Sequence, residues 1–333
     1  MTDRPVRAVV LGCGDIAATG HLPAVARSAD VTLVGVLDSS AERRRAASAA
    51  YRVPELPDLA AAVRAGADVA VVATPPEVSP HLTMAAVAAG LDVLCEKPMA
   101  VDLGTAERVR TAVAATDRIV QIGFKNRFSP LVRALRRWVR AGRLGAPVVY
   151  TLGGFDERYD PADTVHTGRI AHFLAHGPSF VHEGAHFADY LAYVTGARPV
   201  DVRASGVRSR PDLPAENFVS ALVRYDNGDL ARLEIGWQFP VSPRGEFRAL
   251  GPDGVVLLDR PGGVATLHTA DGTEQVRLDR PWNDLCFDAQ LAHFVDCVRR
   301  RATPETSVEA GLASLRLGLA VAEATATGAV VPG

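Results

Sequence analysis

The sequence predicts a doubly wound α/β domain followed by an α+β domain with a large, mostly antiparallel sheet. The chain has 333 residues, enough for about two domains of ~150 residues each. In its first third, short β-branched runs alternate with Ala-rich helical stretches, which is the pattern of a parallel sheet covered by helices. After about residue 124, successive strands joined by short turns replace that alternation. We therefore place the domains at residues 1–123 and 124–333, and we expect the last helix to pack back on the first domain.

The first domain is predicted to contain five strands. Residues 31–37 form a continuous apolar run bounded by polar residues, as expected for a strand buried on both faces of a parallel sheet. The helical segment 81–89 ends at Gly90, a common terminator. The predicted strands are 7–11, 31–37, 69–73, 93–95 and 119–123, and the predicted helices are 23–28, 41–51, 81–89 and 103–115.

The second domain is predicted to be rich in hairpins. Asn227-Gly228 lies between two alternating segments and is the strongest hairpin signal in the chain. Residues 154–178 are polar and poorly periodic, so we expect a solvated loop there. The predicted strands are 147–153, 200–207, 217–225, 229–238, 246–250, 255–258, 263–269 and 274–278, and the predicted helices are 131–141, 180–195, 284–301 and 307–327.

Composition argues against several classes of protein. Lys and Arg total 36 and Asp and Glu total 38, so the net charge of −2 gives no electrostatic reason to expect binding to nucleic acid or to an anionic membrane. No run of 18 apolar residues occurs, and the N-terminus lacks the pattern of a signal peptide. The four cysteines form no CxxC pair, so we expect reduced thiols in a cytoplasmic protein.

A glycine motif follows the first predicted strand. Residues 12–17 are Gly-Cys-Gly-Asp-Ile-Ala, a G-x-G-x-x-A pattern that permits a tight turn and lets the backbone approach a pyrophosphate at a helix N-terminus. Asp38 ends the second strand, where a carboxylate accepts hydrogen bonds from ribose hydroxyls and repels a 2′-phosphate. This predicts NAD, with NADP as second choice because Arg43 and Arg44 follow. The alternative role of Asp38 is a helix N-cap.

Two further segments end later strands of the first domain. Thr74 and Pro75 follow the third strand, with His81 on the next helix, and Lys97 follows the fourth strand. The carboxyl ends of parallel strands form the ligand edge of such a sheet, where an ammonium group can hold a substrate hydroxyl and stabilise oxyanion charge. Only two of the 36 basic residues are lysines, Lys97 and Lys125, so a lysine here is unusual for this chain.

The second domain carries a histidine-rich segment. Five of the nine histidines fall between residues 166 and 186, which indicates a shared polar cavity. His182, Glu183 and His186 match HExxH, in which two histidines on one helix face bind zinc. The alternative is a histidine acting as general base, because imidazole titrates near neutral pH. Gly184 weakens a helix inside the motif, and a zinc hydrolase leaves the first domain unexplained, so we expect no metal.

Together these motifs resemble the Gfo/Idh/MocA oxidoreductase family. The resemblance implies a Rossmann domain, a second domain whose large sheet often forms homodimers or homotetramers, and hydride transfer between NAD(P) and a hydroxyl or keto carbon, usually of a sugar or cyclitol. The matching segments occur in family order over nearly the whole chain: GCGDIA (12–17), ATPPEVSPH (73–81), AGLDVLCEKPMA (89–100), QIGFKNRFSP (121–130), HEGAHFAD (182–189) and ENFVSALVRYDNGDLARLE (216–234).

The resemblance also implies roles for single residues. Lys97 matches the lysine that orients the reacting oxygen, and His186 matches the histidine usually assigned as acid and base. The family often has Asp four residues before that histidine, where this chain has His182, so His182 or Glu183 tunes His186 instead. Lys125 stands where Asn is common, which places it against cofactor or substrate.

We therefore expect an NAD-dependent dehydrogenase of a sugar, amino sugar or cyclitol, with a small-molecule substrate and no nucleic-acid or membrane partner. The alternatives are an NADPH-dependent keto-sugar reductase of deoxysugar biosynthesis and a non-catalytic NAD-binding regulator. The abundance of arginine and alanine resembles the effect of a GC-rich coding bias, as in an actinobacterium. Enzymes of this kind often modify sugars of secondary metabolites there, so we also expect a role in secondary-metabolite sugar biosynthesis. The expected cofactor residues are Gly12, Gly14, Asp15, Ile16, Asp38, Thr74, Pro75, His81, Glu96, Lys97 and Lys125. The expected substrate residues are Lys97, Arg158, Tyr159, Arg169, His182, Glu183, His186 and Trp237, of which Lys97, His182, Glu183 and His186 are the catalytic candidates.

Overall fold

The computed structural model describes residues 4–241 and 247–333. The chain divides into two compact units, one of residues 1–128 and 283–312 and the other of residues 129–282 and 313–333. The division therefore falls five residues beyond the predicted boundary at 123 and 124, and a late segment of the chain belongs to the first unit.

The first unit is built on a parallel sheet of five strands in the order β2-β1-β3-β4-β5. Its strands are short, and nearly all residues of β1, β3, β4 and β5 are buried, whereas the edge strand β2 has only three buried residues and is therefore not buried on both faces as predicted. The strands are β1 (Val6–Leu11), β2 (Val31–Leu37), β3 (Val69–Val72), β4 (Asp92–Cys95) and β5 (Val120–Ile122), and the helices are α1 (Leu22–Arg27), α2 (Ala41–Tyr51), α3 (Leu59–Arg64), α4 (Ser79–Ala88) and α5 (Leu103–Ala114). The predicted doubly wound α/β architecture is confirmed.

A late helix completes the core of the first unit. Phe287, Leu291 and Phe294 of α10 (Trp282–Arg300) belong to the same buried cluster as Val10 and Leu94 of the strands. The last helix, α11 (Val308–Thr327), belongs to the first unit only through its first turn. The late helix in the core of the first unit is therefore α10, whose aromatic side chains fill that core.

The second unit is built on a nine-stranded sheet in the order β13-β12-β11-β10-β6-β9-β8-β7-β14. Among the described strands, β6 and β9 pair in parallel and the other neighbours are antiparallel, as predicted. The strands are β6 (Val149–Asp156), β7 (Pro199–Val207), β8 (Phe218–Tyr225), β9 (Leu230–Trp237), β10 (Phe247–Leu250), β11 (Gly254–Asp259), β12 (Val264–Thr269), β13 (Gly272–Arg277) and β14 (Val331–Pro332). The predicted strand 246–250 begins at residue 246, which lies outside the described residues.

One face of this sheet packs against helices. Leu131, Leu135 and Trp138 of α6 (Pro130–Arg140) and Leu191 of α9 (Gly184–Thr195) share its buried core. The predicted hairpin is present: β8 and β9 are antiparallel, and Gly228 between them has φ +88°.

Two features of the second unit differ from the prediction. Residues 164–176, expected in a loop, form α7 (Thr164–His176), whose first turn is capped by Asp163 accepting the N–H of His166 at 2.9 Å. The predicted helix 180–195 is broken at Glu183 into α8 (Ser179–His182) and α9. A Cβ on Gly184 would lie 2.4 Å from the ring of Phe180, so the close approach of that ring requires glycine at this position.

Candidate functional site

The glycine loop after β1 has the shape that a dinucleotide requires. Gly12 has φ +96°, and a Cβ there would lie 2.4 Å from the carbonyl oxygen of Ala73 at the end of β3. By contrast, a Cβ on Gly14 would have no heavy atom within 4 Å. The first glycine is therefore needed for the turn and the second leaves open space beside the backbone, which is what close approach of a pyrophosphate demands. Asp15 and Ile16 follow at the start of the helix.

Asp38 lies just beyond β2 and is 8% exposed. Its Oδ2 accepts the N–H of Cys13 at 2.7 Å, and its Oδ1 accepts the N–H of Ser40 at 2.7 Å. The helix cap is Ser40, whose hydroxyl accepts the N–H of Arg43. Asp38 is therefore not the N-cap of α2, and its carboxylate is fixed against the glycine loop. A carboxylate has about four acceptor positions, so this one retains capacity for a ribose hydroxyl.

The segment after β3 forms a rigid turn. Thr74 bonds to Ser79 through the two hydroxyls at 3.0 Å, and the carbonyl oxygen of Pro75 accepts the N–H groups of Val78 and Ser79 at 2.9 Å. His81 is an exposed residue in the first turn of α4. The turn thus presents Thr74 and Pro75 at the carboxyl edge of the sheet, while His81 faces solvent.

A buried charge cluster lies at the carboxyl end of β4. Glu96 is 7% exposed, and its Oε1 accepts a hydrogen bond from Nε2 of His21 at 2.7 Å. Its Oε2 accepts the backbone N–H of Lys97 at 3.1 Å. Burial alone would raise the pKa of Glu96, but the hydrogen bond from His21 and the charges of His21, Lys125 and Lys97 outweigh burial and lower it. Glu96 is therefore a buried carboxylate that balances the neighbouring cations.

His21 is a residue of this cluster that the sequence did not predict. This side chain lies on a π-helical turn, Ala17–His21, between the glycine loop and α1. π-helical turns are rare and frequently occur at functional sites, but no sequence pattern announces one. The available signal was a histidine within the helix that follows the glycine motif.

In the second unit, His182 lies between two aromatic rings. Its ring centroid is 5.6 Å from that of Phe173 on α7 and 5.9 Å from that of Trp237 at the end of β9. Its Nε2 donates to the carbonyl oxygen of Phe173 at 3.1 Å. His182 and Trp237 are 5% and 3% exposed, so this is a packed aromatic layer. Among the described residues, the indole N–H of Trp237 has no hydrogen-bond acceptor.

His186 lies in the first turn of α9, after the break at Glu183. Its backbone N–H donates to the carbonyl oxygen of Glu183 at 3.1 Å, and its side chain is buried, as is that of Asp189 one turn further on. His182 is therefore the last residue of α8 and His186 lies in the first turn of α9, with Glu183 between the two helices. No group of three or more His, Cys, Asp or Glu residues within 4–241 and 247–333 is arranged to hold a metal ion.

The polar segment before α7 and the first turns of α7 form a cluster of charged side chains in this unit. Oε2 of Glu157 lies 3.4 Å from both Arg169 and Nε2 of His166, and Arg169 also contacts Nδ1 of His166 at 2.9 Å. The ring of Tyr159 is covered by the guanidinium of Arg210 at 3.4 Å. Arg158 is largely exposed and lies 3.9 Å from Asp160. Arg169 and Tyr159 are thus held in place, whereas Arg158 extends into solvent.

Comparisons with known proteins agree with this architecture. Residues 6–124 match the family model described as oxidoreductase family, NAD-binding Rossmann fold, and residues 132–257 match the GFO/IDH/MocA C-terminal domain. The chain is 31% identical over 269 residues to 1,5-anhydro-D-fructose reductase of Ensifer adhaerens, covering 78% of each chain. It is 28% identical to inositol 2-dehydrogenase 4 of Saccharopolyspora erythraea, covering 100% of this chain and 97% of the relative. A scyllo-inositol dehydrogenase structure from Lactobacillus casei has the same fold, with a TM-score of 0.82, 21% identity and 99% of both chains covered.

Proposed function

The chain belongs to the Gfo/Idh/MocA oxidoreductase family, and on that premise we propose that it is an NAD-dependent dehydrogenase of a sugar, amino sugar or cyclitol. The observation that carries the proposal is the pairing of Asp38 with the glycine loop. A buried carboxylate at the end of β2, fixed 2.7 Å from the backbone of Cys13, favours two ribose hydroxyls and disfavours a 2′-phosphate. The Lactobacillus casei relative was crystallised with NAD(H) and scyllo-inositol.

In this proposal NAD supplies the chemistry of hydride exchange with a carbon atom, and the protein supplies binding, orientation and proton transfer. Gly12, Gly14, Asp15 and Ile16 hold the pyrophosphate, and Asp38 holds the adenosine ribose. The neighbouring strand ends contribute the cofactor residues Thr74, Pro75, Glu96, Lys97 and Lys125, and the first turn of α4 contributes His81.

We assign the proton chemistry to Lys97 and His186. The ammonium of Lys97 polarises the reacting hydroxyl, and the imidazole of His186 takes its proton when the substrate is oxidised and returns it when a ketone is reduced. His182 and Glu183 position His186, because they form the helix end and the break that precede it. The hydrogen bond from His182 to Phe173 fixes the imidazole within that aromatic layer.

The second unit offers groups suited to a polyhydroxylated substrate. Trp237 presents an indole N–H that has no acceptor within the described part of the chain, and Arg169 and Tyr159 are held in place by Glu157 and Arg210. These donors match sugar or cyclitol oxygens, and Arg158 adds an exposed guanidinium. The 1,5-anhydro-D-fructose reductase and the inositol 2-dehydrogenase to which the chain is similar both bear names of this substrate class.

A second candidate is an NADPH-dependent keto-sugar reductase. Arg43 favours it: its guanidinium lies 3.4 Å from Oδ1 of Asp38 and its side chain is 57% exposed, so it is available to a 2′-phosphate. The two candidates differ in whether the carboxylate of Asp38 or the guanidinium of Arg43 dominates recognition of the ribose.

We further propose that a second copy of the chain covers the open face of the nine-stranded sheet. Cross-strand pairing places Val149, Leu222, Leu250 and Leu257 on one face, and each is 37–47% exposed. Exposed apolar side chains on four strands of one sheet face are unusual for a surface in contact with water. L222E together with L257E should halve the molecular mass measured by light scattering, whereas an unchanged mass would contradict this assembly.

We also propose a cytoplasmic location, supported by the four cysteines, all of which are buried and free. No helix within residues 4–241 and 247–333 is long and apolar enough to cross a membrane.

The test of the function is a melting experiment with NAD, NADH, NADP and NADPH, followed by a turnover screen with cyclitols, sugars and amino sugars. A ligand at ~100 times its Kd stabilises a protein by about 2.7 kcal/mol, which is a shift of several degrees. A shift with NAD and NADH supports the dehydrogenase, and a shift with only the phosphorylated pair supports the reductase. A protein that responds to none of the four contradicts both.

A further inference from the structure

Both lysines of the chain influence one buried carboxylate. Lys97 and Lys125 are the only lysines in the sequence, and the charges of both stabilise the ionised form of Glu96. Lys97 follows β4 directly, and Lys125 lies in the turn after β5, the neighbouring strand. The two amines are thus linked through Glu96, the anion between the ends of two adjacent strands.

The position of Glu96 is fixed on several sides. A Cβ on Gly123 would lie 2.9 Å from the carboxylate carbon of Glu96, so the carboxylate lies directly over the glycine that follows β5. His21 contacts one carboxylate oxygen, and the backbone of Lys97 contacts the other. With one oxygen bonded to each neighbour, rotation of the carboxylate would break one of the two hydrogen bonds.

His21 is itself held by an aromatic side chain from α10. Its ring meets that of Phe287 edge-to-face, with centroids 5.0 Å apart. The Nζ of Lys125 lies 4.5 Å from the centroid of the same ring, within the range of a cation–π contact. A Cβ on Gly20 would lie 2.4 Å from the Phe287 ring, so the residue before His21 makes room for it. One phenyl ring therefore supports both His21 and Lys125.

We infer that His21 is a positioning residue for Lys97 that acts through Glu96. This inference rests on the proposed function, in which Lys97 holds the reacting oxygen. The π-helical turn brings Nε2 of His21 within 2.7 Å of Glu96, and Glu96 in turn fixes the backbone from which the Lys97 side chain projects. Without His21, the carboxylate loses the contact that fixes its orientation and the strongest of the interactions that stabilise its charge.

Two substitutions of His21 should have different effects on catalysis. His21→Gln keeps an N–H donor at nearly the place of Nε2, whereas His21→Leu removes it and retains an apolar side chain against Phe287. We expect His21→Leu to lower kcat about tenfold or more with the Kd of NADH little changed, because a hydrogen bond to a charged group is worth roughly a factor of ten or more. We expect His21→Gln to retain most of kcat.

The two lysines provide a structural measurement that does not depend on turnover. Protein labelled with carbon-13 at lysine Cε gives one NMR signal each for Lys97 and Lys125. His21→Leu should move both signals and His21→Gln should move them less. The control is His293→Gln, a histidine of the same unit that accepts the N–H of Glu305 at 3.1 Å, for which we expect unchanged lysine signals and unchanged kcat.

The outcomes separate the inference from the proposed function. If Lys97→Ala retains wild-type kcat, the proposed role of Lys97 is wrong, while shifted lysine signals in His21→Leu still establish the positioning contact. If His21→Leu leaves both the lysine signals and kcat at wild-type values, the inference is overturned whatever Lys97 does. Equal effects of His21→Leu and His293→Gln would also overturn it, because they would reflect a general loss of packing.

Discussion

The carboxylate of Asp38 accepts the backbone N–H of Cys13 at 2.7 Å, which ties the end of β2 to the glycine loop. This contact joins the two features on which the proposed choice of cofactor rests: the open space beside Gly14 and the carboxylate of Asp38. Burial raises the pKa of the Cys13 thiol to about 11, and the nearby charge of Asp38 is the second cause. Cys13 therefore stays protonated near neutral pH and serves the loop through its backbone.

Asp38→Asn should change cofactor preference. The amide keeps the size of the side chain but loses the charge, so we expect NADH to bind about 10–100-fold more weakly and NADPH to gain relative to it. Arg43→Ala is the matched variant, and it should lower the affinity for NADPH while leaving NADH nearly unchanged. Fluorescence titration measures all four affinities, and an Asp38→Asn protein that keeps the wild-type preference would show that Asp38 does not contact the ribose.

The two glycines of the loop should respond differently to the same substitution. Gly12→Ala places a Cβ 2.4 Å from a carbonyl oxygen at φ +96°, so we expect a melting temperature lower by several degrees without any ligand. Gly14→Ala meets no atom within 4 Å, so the protein without ligand should melt like the wild type. Its NADH affinity should nevertheless fall, because the methyl group occupies the open space. Full NADH affinity in Gly14→Ala would place the dinucleotide elsewhere.

Lys97→Ala and His186→Ala should each lower kcat by about 10²–10⁴-fold with the Kd of NADH changed only a few-fold, because general acid–base and oxyanion groups contribute factors of this size. Stopped-flow or steady-state absorbance of reduced nicotinamide reports kcat, and fluorescence reports Kd. Near-native turnover in either variant would remove that residue from the proton chemistry.

His182→Ala should act mainly on stability. It removes the hydrogen bond to the carbonyl oxygen of Phe173 and opens the aromatic layer between Phe173 and Trp237. We expect a loss of about 1–3 kcal/mol in the free energy of unfolding, which is the cost of leaving a buried acceptor unpaired. His182→Gln, which keeps a donor, should recover part of that loss. An unchanged thermal or denaturant melt for His182→Ala would contradict the packing role.

Glu96→Gln should make stability less dependent on pH in the acid range. The pKa of Glu96 is lowered in the folded protein from an ordinary value of 4.5, so its charge contributes stability that is present above that value and is lost as the pH falls toward the folded pKa. Glu96→Gln lacks this charge at every pH. The difference in melting temperature from the wild type should therefore be largest near neutral pH and shrink below about pH 4. A constant difference would mean that the pKa of Glu96 is the same in the folded and the unfolded protein, and a wild type that gains stability relative to Glu96→Gln as the pH falls would mean that Glu96 is not ionised in the folded protein.

The parallel sheet and the glycine loop were predictable because each depends on local sequence. A buried parallel strand such as β3 is a run of apolar residues, and the first glycine of the loop is required by a positive φ. The hairpin at Asn227-Gly228 was predictable for the same reason.

The missed features depend on contacts between distant residues or on weak local signals. Nine of the 13 residues of α7 are polar or small, which obscures its periodicity, and only Asp163 marks its beginning. The break before α9 results from the ring of Phe180 packing against Gly184, which no periodicity reveals. His21 and Glu96 are 75 residues apart in the sequence, so their pairing required the structure.

Fluorescence titration of the wild-type protein with NADH and NADPH measures the preference between the two cofactors. The geometry of Asp38 and Gly14 predicts that NADH binds at least about tenfold more tightly than NADPH, as expected when a carboxylate accepts a ribose hydroxyl and repels a phosphate. Tighter binding of NADPH, or no binding of either dinucleotide, would contradict the assignment of an NAD-dependent dehydrogenase.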